Sequence, residues 1–321
     1  MIYEYAIDPE CDQNTLWQAL SQFGIHRGRI LRECPSNFRK KLMKAIHLAA
    51  GDDDVERDIL VAQFEQMLDE GWFIKRPVSA YDPSQDTWIQ RILPEHQRQP
   101  FRGLISDGPK ELDCVLTKYD LRDTNPFWFV DQTPLVQRTA NDIAQAFAPL
   151  GRISTDLLII DPFFGEHPHD FASIPAIIEA SNCEQTPLQR VEIHTVHEPL
   201  NSKRKGMAEI RKSTEHALGT EFRSRLPKAL RIRVSIWETV PDGDDFHDRY
   251  LLTNLGGAGV SLGLDVGGND RLGNHKNTIF LLSPKLYQLR KDQFDRDSVQ
   301  HKRRISSGTI DYKFIEAFWA E

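Results

Sequence analysis

Residues 155–199 contain two apolar runs with a helical pattern between them. Of all features of the sequence, this order most restricts which folds the chain can adopt. The runs TDLLIIDPFFG (155–165) and QRVEIHTVHEP (189–199) are typical of strands buried on both faces. The segment DFASIPAIIEASNC (170–183) between them predicts a helix, and ALRIRVSIWETV (229–240) predicts a third strand. This order favours an α/β domain in which a mixed, mostly parallel sheet lies between helices.

The first part of the chain shows helical patterns instead. Three segments within residues 15–72 carry apolar residues three or four positions apart, and each ends near a glycine. We therefore expect a smaller, mostly helical domain over residues 1–76. Residues 77–150 are expected to be a connector that packs on the second domain, which spans residues 151–321. The three helices suit a plain bundle, and they also suit a winged-helix-like unit that reads DNA.

The composition is that of a soluble globular protein, and the length suggests two domains, or one large domain with an extension. The chain has 321 residues, of which 40% are hydrophobic and 27% are charged. Its four cysteines are scattered and form no C-x-x-C pair, so we expect a cytoplasmic protein without a disulfide framework, a metal or a cofactor. No apolar run is long enough to cross a membrane, and the N-terminus lacks a secretory pattern, so no membrane insertion is expected.

The charge balance argues against a protein coated with positive charge. The formal net charge is −7, which is unsuited to non-specific binding of DNA over the whole surface. Residues 201–233, however, contain many more Lys and Arg than Glu. Such a segment is either a patch that contacts phosphates or a solvated helix face.

The stretch DDFHDRYLLTNLGGAGVSLGLD (244–265) predicts a β-hairpin with a glycine-rich turn. His247 and Arg249 alternate along its first strand, so both side chains point to the same face. An imidazole can attack phosphorus or donate a proton, and a guanidinium can bind two phosphate oxygens. Ser261 can add a hydroxyl donor on the returning strand. The pattern predicts a site for a phosphodiester.

A simpler interpretation of the same histidine is open. His247 can be a surface residue at the start of a strand, with no role in chemistry. The neighbouring carboxylates of Asp244, Asp245 and Asp248 would favour its protonated form, which suits a general acid better than a nucleophile.

Other reactive residues follow the predicted strands. Asp161 ends the first apolar run, and His194 and His197 lie in the second. Ligands of open α/β sheets tend to bind beyond the ends of the strands, which places these side chains near a predicted site. Asp161 either hydrogen-bonds that site or simply ends its strand.

The hairpin resembles the phospholipase D superfamily. The superfamily pattern is His-x-Lys, four residues, Asp, six residues, Gly-Ser, and here it is matched by His247-x-Arg249, by Asn254 at the Asp position and by Ser261 near the Gly-Ser position. The string HDR…GLD is more similar still to the phospholipase D-like domain at the C-terminus of microtubule-interacting-and-trafficking proteins and in bacterial relatives. The resemblance covers residues 150–300.

This resemblance implies a phospholipase D-like fold and a metal-independent phosphodiesterase. The implied activity is a nuclease that cuts DNA or RNA in bacterial anti-phage defence. His247 would attack phosphorus, and His194, His197 or a second chain's His247 would protonate the leaving oxygen. The residues implied to bind the substrate are Arg249, Ser261, Asn254, Lys276 and Asp161.

The departures from the family pattern support an alternative. Arg249 stands where the family has Lys, and Asn254 stands where it has Asp. The superfamily enzymes pair two motifs, whereas this chain has one clear motif, so the second imidazole would have to come from a homodimer, from His194 or from His197. Without it, the expected protein is a catalytically silent phosphate- or nucleic-acid-binding subunit, or a scaffolding subunit, of a larger defence complex.

Overall fold

The structure, a computed structural model, describes most of the chain. The described residues are 1–35, 37–50, 54–69, 72–74, 80–164, 172–184, 186–197, 232–239, 249–266, 275–294 and 312–320, with the single positions 209, 212, 226 and 230. The chain divides into two compact units, Met1–Gln132 and Thr133–Glu321, which are called the N-terminal unit and the C-terminal unit.

The N-terminal unit contains a five-stranded sheet in which every described strand pair is parallel. The strand order is β3-β2-β1-β4-β5. Parallel strands need long crossover connections, and most of the helices of this unit lie in them. The strands are β1 (Tyr3–Ile7), β2 (Arg29–Arg32), β3 (Phe73–Ile74), β4 (Gly103–Ile105) and β5 (Val115–Leu116).

Helices cover both faces of this first sheet. Tyr5 and Ile7 of β1 belong to one apolar core, and Ala6 between them belongs to the other, because alternate residues of a strand point to opposite faces. The first three helices pack in the core of Tyr5, and the fourth packs in the core of Ala6. The helices are α1 (Gln13–Leu20), α2 (Phe38–Ala50), α3 (Asp54–Asp69) and α4 (Trp88–Arg98).

The N-terminal half therefore differs from the sequence prediction. The three predicted helices are present as α1, α2 and α3, but residues 1–76 also contain β1, β2 and β3. Residues 77–132, predicted as a connector, add α4, β4 and β5 to the same unit, and the boundary lies at residue 132 instead of residue 150. These strands are two to five residues long, too short to show a periodic pattern in the sequence. The described part contains no antiparallel hairpin of the winged-helix kind.

The C-terminal unit contains a mixed sheet with the order β13-β9-β8-β7-β10-β11-β12-β6. Its centre, β7, β8 and β9, is parallel, and the pairs outside it are antiparallel. The strands are β6 (Leu135–Gln137), β7 (Asp156–Ile160), β8 (Arg190–His197), β9 (Ile232–Thr239), β10 (Arg249–Thr253), β11 (Gly257–Val260), β12 (Lys276–Leu281) and β13 (Tyr312–Ala320).

The predicted α/β class is confirmed. The sheet predicted for residues 151–321 is mixed, as expected, but it is not mostly parallel, because only the pairs β7–β8 and β8–β9 are parallel. The parallel sheet lies in the N-terminal unit, where no sheet was predicted. In the second sheet β10 and β11 are joined by the short turn at residues 254–256, and so short a connection permits only antiparallel pairing. The hairpin predicted over residues 244–265 is confirmed by this pair, with Arg249 opposite Val260.

Three described helices accompany the second sheet, namely α5 (Ala140–Gly151), α6 (Ser173–Ser181) and α7 (Pro284–Phe294). Phe294 of α7 packs in a core with Leu158 and Ile160 of β7, and this side of the sheet is called the α7 face. Leu157 and Ile159 point to the opposite face and are fully buried as well. The central strands are therefore covered on both faces, which explains their continuous apolar sequences.

Candidate functional site

Asp161 lies directly after β7 and joins two loops. Its carboxylate accepts hydrogen bonds from the backbone N–H of Phe163 at 3.0 Å and of Leu264 at 3.1 Å. The side chain is buried, and burial raises its pKa to about 6, although both hydrogen bonds and the nearby charge of Arg249 act in the opposite direction. Asp161 thus ties the end of β7 to the loop after β11 and defines one edge of the sheet, called here the carboxyl edge.

The loop after β11, residues 261–265, is held mainly by Asn277 of β12. The Asn277 side chain is fully buried, and its Nδ2 donates to the carbonyl of Gly263 at 2.8 Å. Its Oδ1 accepts from the N–H of Leu262 at 3.0 Å and from the hydroxyl of Ser261 at 3.1 Å. One buried amide therefore satisfies three polar groups of this loop.

Two further side chains hold the end of the same loop. The Ser173 hydroxyl, at the start of α6, donates to the carbonyl of Leu264. Arg138, the residue after β6, donates to the carbonyl of Asp265 through Nε at 2.8 Å and to the Asp265 carboxylate through Nη2. Side chains from several elements thus fix the loop, so it forms a rigid wall of the carboxyl edge.

Arg249, the first residue of β10, lies between this loop and the loop after β7. Its Cζ lies 4.7 Å from the centroid of the Phe163 ring, a cation–π contact. A Cβ atom at Gly263 would lie 3.3 Å from Arg249 Nε, and Gly263 has a φ of +97°, so glycine is needed there for both reasons. The guanidinium is therefore held in one orientation beside Asp161.

Strand register determines which side chains share a face with Arg249. Arg249 lies opposite Val260, and Val260 lies opposite Ile279, so these side chains point to one side of the sheet. Asn277, two residues before Ile279, points to the same side. Tyr250, in contrast, lies opposite Ile160 on the α7 face. The Arg249 site therefore lies on the face opposite to α7.

His194 lies on the α7 face and is not brought together with Arg249. It is the strand neighbour of Ile160, and its ring is fully buried between Trp237 and Phe294. Trp237 Nε1 donates to His194 Nδ1 at 2.9 Å, and His194 Nε2 lies 3.5 Å from Glu192 Oε1. Burial lowers the pKa of His194 to about 4, so the ring is neutral at neutral pH. Its position indicates a structural role instead of proton donation to a ligand.

The structure allows a pH-dependence prediction for His194. The native pKa is about 4 and the unfolded value is about 6.5, so only the unfolded chain gains this proton as the pH falls between these values. The free energy of unfolding should therefore fall by about 3 kcal/mol from this residue across that window. The loss should be absent in His194→Gln, whose side-chain oxygen can still accept from Trp237.

The measurement is the free energy of unfolding by urea at several pH values for both proteins. Asp161, whose pKa is raised to about 6, contributes with the opposite sign over part of the same window, because the native state binds its proton first. The difference between variant and wild type removes that contribution. Curves that run parallel between pH 7 and 4 would contradict the assignment of a buried neutral imidazole.

Asn254, predicted to bind substrate, lies at the other edge of the sheet. Its Oδ1 accepts from the N–H groups of Thr155 at 2.9 Å and Asp156 at 3.3 Å, where β7 begins. Because β10 runs antiparallel to β7, five residues of extended chain separate Asn254 from Arg249, about 16 Å. The structure does not bring these two residues together, and the Asn254 amide oxygen is already occupied.

Ser261 and Lys276 lie at the carboxyl edge with Arg249. Ser261 follows Val260, the strand partner of Arg249, and it is exposed, although its oxygen also accepts from the N–H of Thr278 at 3.0 Å. Lys276 is the first residue of β12 and is exposed at the same edge. Asp161, Arg249 and Ser261 are thus the predicted residues that the structure brings together, whereas Lys276, next to Asn277 in β12, points to the α7 face.

Several predicted residues cannot be placed. His247, with Asp244, Asp245 and Asp248, lies outside the described residues, as does most of the basic segment 201–233. His197 ends β8, but its side chain is outside the description. The roles assigned to these residues stay predictions.

The residues that support the site were missed by sequence reasoning. Arg138, Ser173 and Asn277 are scattered along the chain, and Arg138 lies 127 positions from its partner Asp265. No local sequence pattern predicts such contacts. Phe163 lies in the run TDLLIIDPFFG (155–165), two residues after Asp161, but nothing in that run indicates that an arginine packs on its ring.

A second polar edge lies in the N-terminal unit, where the strand order reverses between β1 and β4. The Ser106 hydroxyl donates to Asp8 at 3.3 Å, and the Thr15 hydroxyl donates to Asp107 at 2.8 Å, so these contacts join the loop after β4 to the end of β1 and to α1. Among the described residues no group of three or more His, Cys, Asp or Glu side chains is arranged to hold a metal ion. The side chains named here, in the described part of this edge, are carboxylates and hydroxyls, which do not form a cationic site like that of Arg249.

Comparison with known proteins adds little. No protein-family model matches the chain, and no curated protein matches it. One solved structure, described as that of TrmBL2, an archaeal chromatin protein that shows a novel mode of DNA binding, aligns with a TM-score of 0.25 and 10% identity. The alignment covers 83% of this chain and 70% of that chain, and so low a score carries no argument. Within the described residues, no helix has the length and apolar character needed to span a membrane.

Proposed function

We propose that the C-terminal unit binds the phosphodiester groups of nucleic acid at its carboxyl edge, with Arg249 as the principal contact. The observation that carries the proposal is the fixed guanidinium. It packs on the Phe163 ring, a Cβ atom at Gly263 would lie 3.3 Å from its Nε, and its charge interacts with that of Asp161. A planar guanidinium held in this way loses little freedom when it binds two phosphate oxygens.

The surroundings of Arg249 suit an anion. The loop of residues 261–265 carries one carboxylate, that of Asp265, which is partly exposed. Arg138 forms an ion pair with it, so its negative charge is compensated. Leu262 of the loop is 45% exposed and can contact sugar or base.

Cleavage by His247 is a second candidate. The position of Arg249 favours this reaction. Arg249 is the first residue of β10 and lies at the carboxyl edge, and His247 comes two residues before it in the chain. In this reaction the imidazole would form a bond to phosphorus while the bond to the leaving oxygen breaks, and that oxygen would take up a proton. Water would then release the phosphate from the imidazole. His194 faces the other side of the sheet, so the proton would come from His197 or from a second chain's His247.

Arg249→Ala should weaken the binding of nucleic acid about 10- to 100-fold, because a charge-assisted hydrogen bond contributes roughly 1.5–3 kcal/mol. It should also reduce the slope of log affinity against log salt concentration by about one unit. Arg249→Lys should recover part of the affinity but not all of it, because an ammonium cannot bind two oxygens with the same geometry. The measurement is fluorescence anisotropy of labelled DNA and RNA oligonucleotides at several salt concentrations.

Arg152→Ala is the matched control. Arg152 follows α5, and its Nε donates to the carbonyl of Ala180, away from the carboxyl edge. Its removal should leave the affinity unchanged. If the wild-type chain binds no oligonucleotide at low salt, or if both variants weaken binding equally, the proposal is wrong.

Cleavage is tested separately with the same oligonucleotides in the presence of EDTA. If the wild type cuts and His247→Ala does not, the chain is a metal-independent nuclease. Binding without cutting identifies a catalytically silent subunit. A role in bacterial anti-phage defence follows only from the resemblance and stays a prediction.

A further inference from the structure

Helices α2 and α3 expose large apolar side chains near the end of α2 and near the start of α3. Leu48 near the end of α2 is 68% exposed, and Val55 and Ile59 in the first turns of α3 are 70% and 52% exposed. Three residues connect the helices, and both pack in the core of Tyr5, so they form a helical hairpin. The cluster Leu48, Val55 and Ile59 is called the hairpin tip. A single exposed leucine is ordinary, whereas three such side chains on adjoining turns mark a contact surface.

Charged side chains lie on both helices farther from the tip, basic ones on α2 and acidic ones on α3. On α2, Lys40 and Lys44 are exposed and lie on one line with Leu48, each four residues from the next. On α3, Glu65 and Asp69 are exposed at the end far from the tip. Asp54 and Asp58 are also exposed, beside Val55 and Ile59, and both pair with Arg57. The hairpin therefore presents apolar side chains at the tip, a basic line on α2 and acidic side chains along α3.

We propose that the α2–α3 hairpin is the interface between two copies of this chain. A two-fold axis parallel to the helices would place α2 of one copy against α3 of the other, running in opposite directions. Leu48 would then meet Val55 and Ile59 of the partner subunit. Lys40 and Lys44 would lie level with the acidic end of the partner's α3, and the four helices would form an antiparallel bundle.

The charges favour a second copy over a different protein. A two-fold interface brings one surface against itself, so it needs complementary features on the two sides of the axis. This hairpin has that arrangement, with basic α2, acidic α3 and an apolar centre. A partner with one sign of charge would repel one of the two helices.

The inference is independent of the proposed binding site. All the residues that it uses lie in the N-terminal unit, whereas the proposed binding site lies in the C-terminal unit. Failure of one proposal therefore leaves the other standing.

Sedimentation equilibrium of the full chain in the micromolar range tests the proposal. The wild type is expected to be a dimer, and Ile59→Glu should weaken the dimer at least about 30-fold, the effect of removing a central contact residue. Ile59 is exposed, so this variant should keep its circular dichroism spectrum. Leu289→Glu, at a leucine of α7 that is 55% exposed, is the matched control and should remain dimeric. A monomeric wild type, or an Ile59→Glu protein as dimeric as the control, overturns the proposal.

Charge reversal tests the predicted pairing of helices. Replacing Lys40 and Lys44 by Glu should weaken the dimer, and so should replacing Glu65 and Asp69 by Lys. Mixing these two variants should restore association between them, because each supplies the charge that the other has lost. If the mixture associates no better than either variant alone, α2 does not pair with α3 of a second copy.

Discussion

Glu95→Gln is expected to lower the free energy of unfolding of the N-terminal unit by about 3–5 kcal/mol. Glu95 in α4 is fully buried and accepts from Arg32 Nη2 at 2.8 Å. It also accepts from Arg98 Nε at 3.2 Å and from the N–H of Ala80 at 3.1 Å. Arg32 is 1% exposed, so the pair with this carboxylate lies out of reach of solvent. Glutamine keeps the size of the side chain but removes the negative charge that faces the buried guanidinium.

The loss is measured by urea denaturation of the full chain, with hydrogen exchange of peptides from β1, β2 and α4 to identify the N-terminal unit. Glu10→Gln is the control, because the Glu10–Lys41 pair at 2.7 Å is partly solvated and such pairs contribute about 0–1 kcal/mol. Combining Arg32→Met with Glu95→Leu should recover much of the stability, since an apolar pair of similar volume often replaces a buried ion pair without loss. Equal losses in Glu95→Gln and Glu10→Gln would contradict this account.

Trp128→Ala is expected to cost about 3–5 kcal/mol, as for other large aromatic side chains removed from a core. The Trp128 ring is fully buried and packs edge-to-face with Tyr5 and Phe23. Arg29 Cζ lies 4.5 Å from the centroid of the ring, and Arg29 Nη2 donates to the Trp128 carbonyl at 3.0 Å. Alanine would leave a cavity and remove the surface on which Arg29 lies.

The neighbouring residue is the control for this prediction. Phe129 is 47% exposed, so Phe129→Ala should change the stability by no more than about 0.5 kcal/mol. The comparison also tests the position of residues 125–134, which the sequence predicted to pack on the second domain. Trp128 lies instead in the core of the N-terminal unit. A larger loss for Phe129→Ala than for Trp128→Ala would contradict that placement.

The two halves of the chain differ in how far the sequence predicts them. Strands β7, β8 and β9 were predicted because strands buried on both faces consist of continuous apolar runs, and the β10–β11 hairpin was predicted from its glycine-rich turn. Strands β3, β4 and β5 escaped prediction because two or three residues show no period. They are stabilised by their neighbours in the first sheet, which no local pattern reveals.

The candidate site shows the same division. The sequence predicted the edge of the sheet where the site lies, because strand ends and short motifs are local features. It also predicted four residues there, namely Asp161, Arg249, Ser261 and Lys276. The separation of His194 and Asn254 from Arg249 required the structure. The pairing of His194 with Ile160 places it on the α7 face, and the bond from Thr155 to Asn254 places Asn254 at the start of β7. The sequence supplied the reactive side chains, and the pairing of strands decided which of them share a face and an edge.

By itself, the sequence determined the α/β class of the C-terminal unit, the hairpin and the arginine at its first strand, because these follow from apolar periodicity and turn chemistry between near neighbours. The tertiary structure alone decided the parallel sheet of the N-terminal unit and the neutral, buried state of His194. It also decided the support of Arg249, which depends on the loop that Asn277, Ser173 and Arg138 hold in place. These features depend on contacts between residues far apart in the chain, which form only when the sheets assemble.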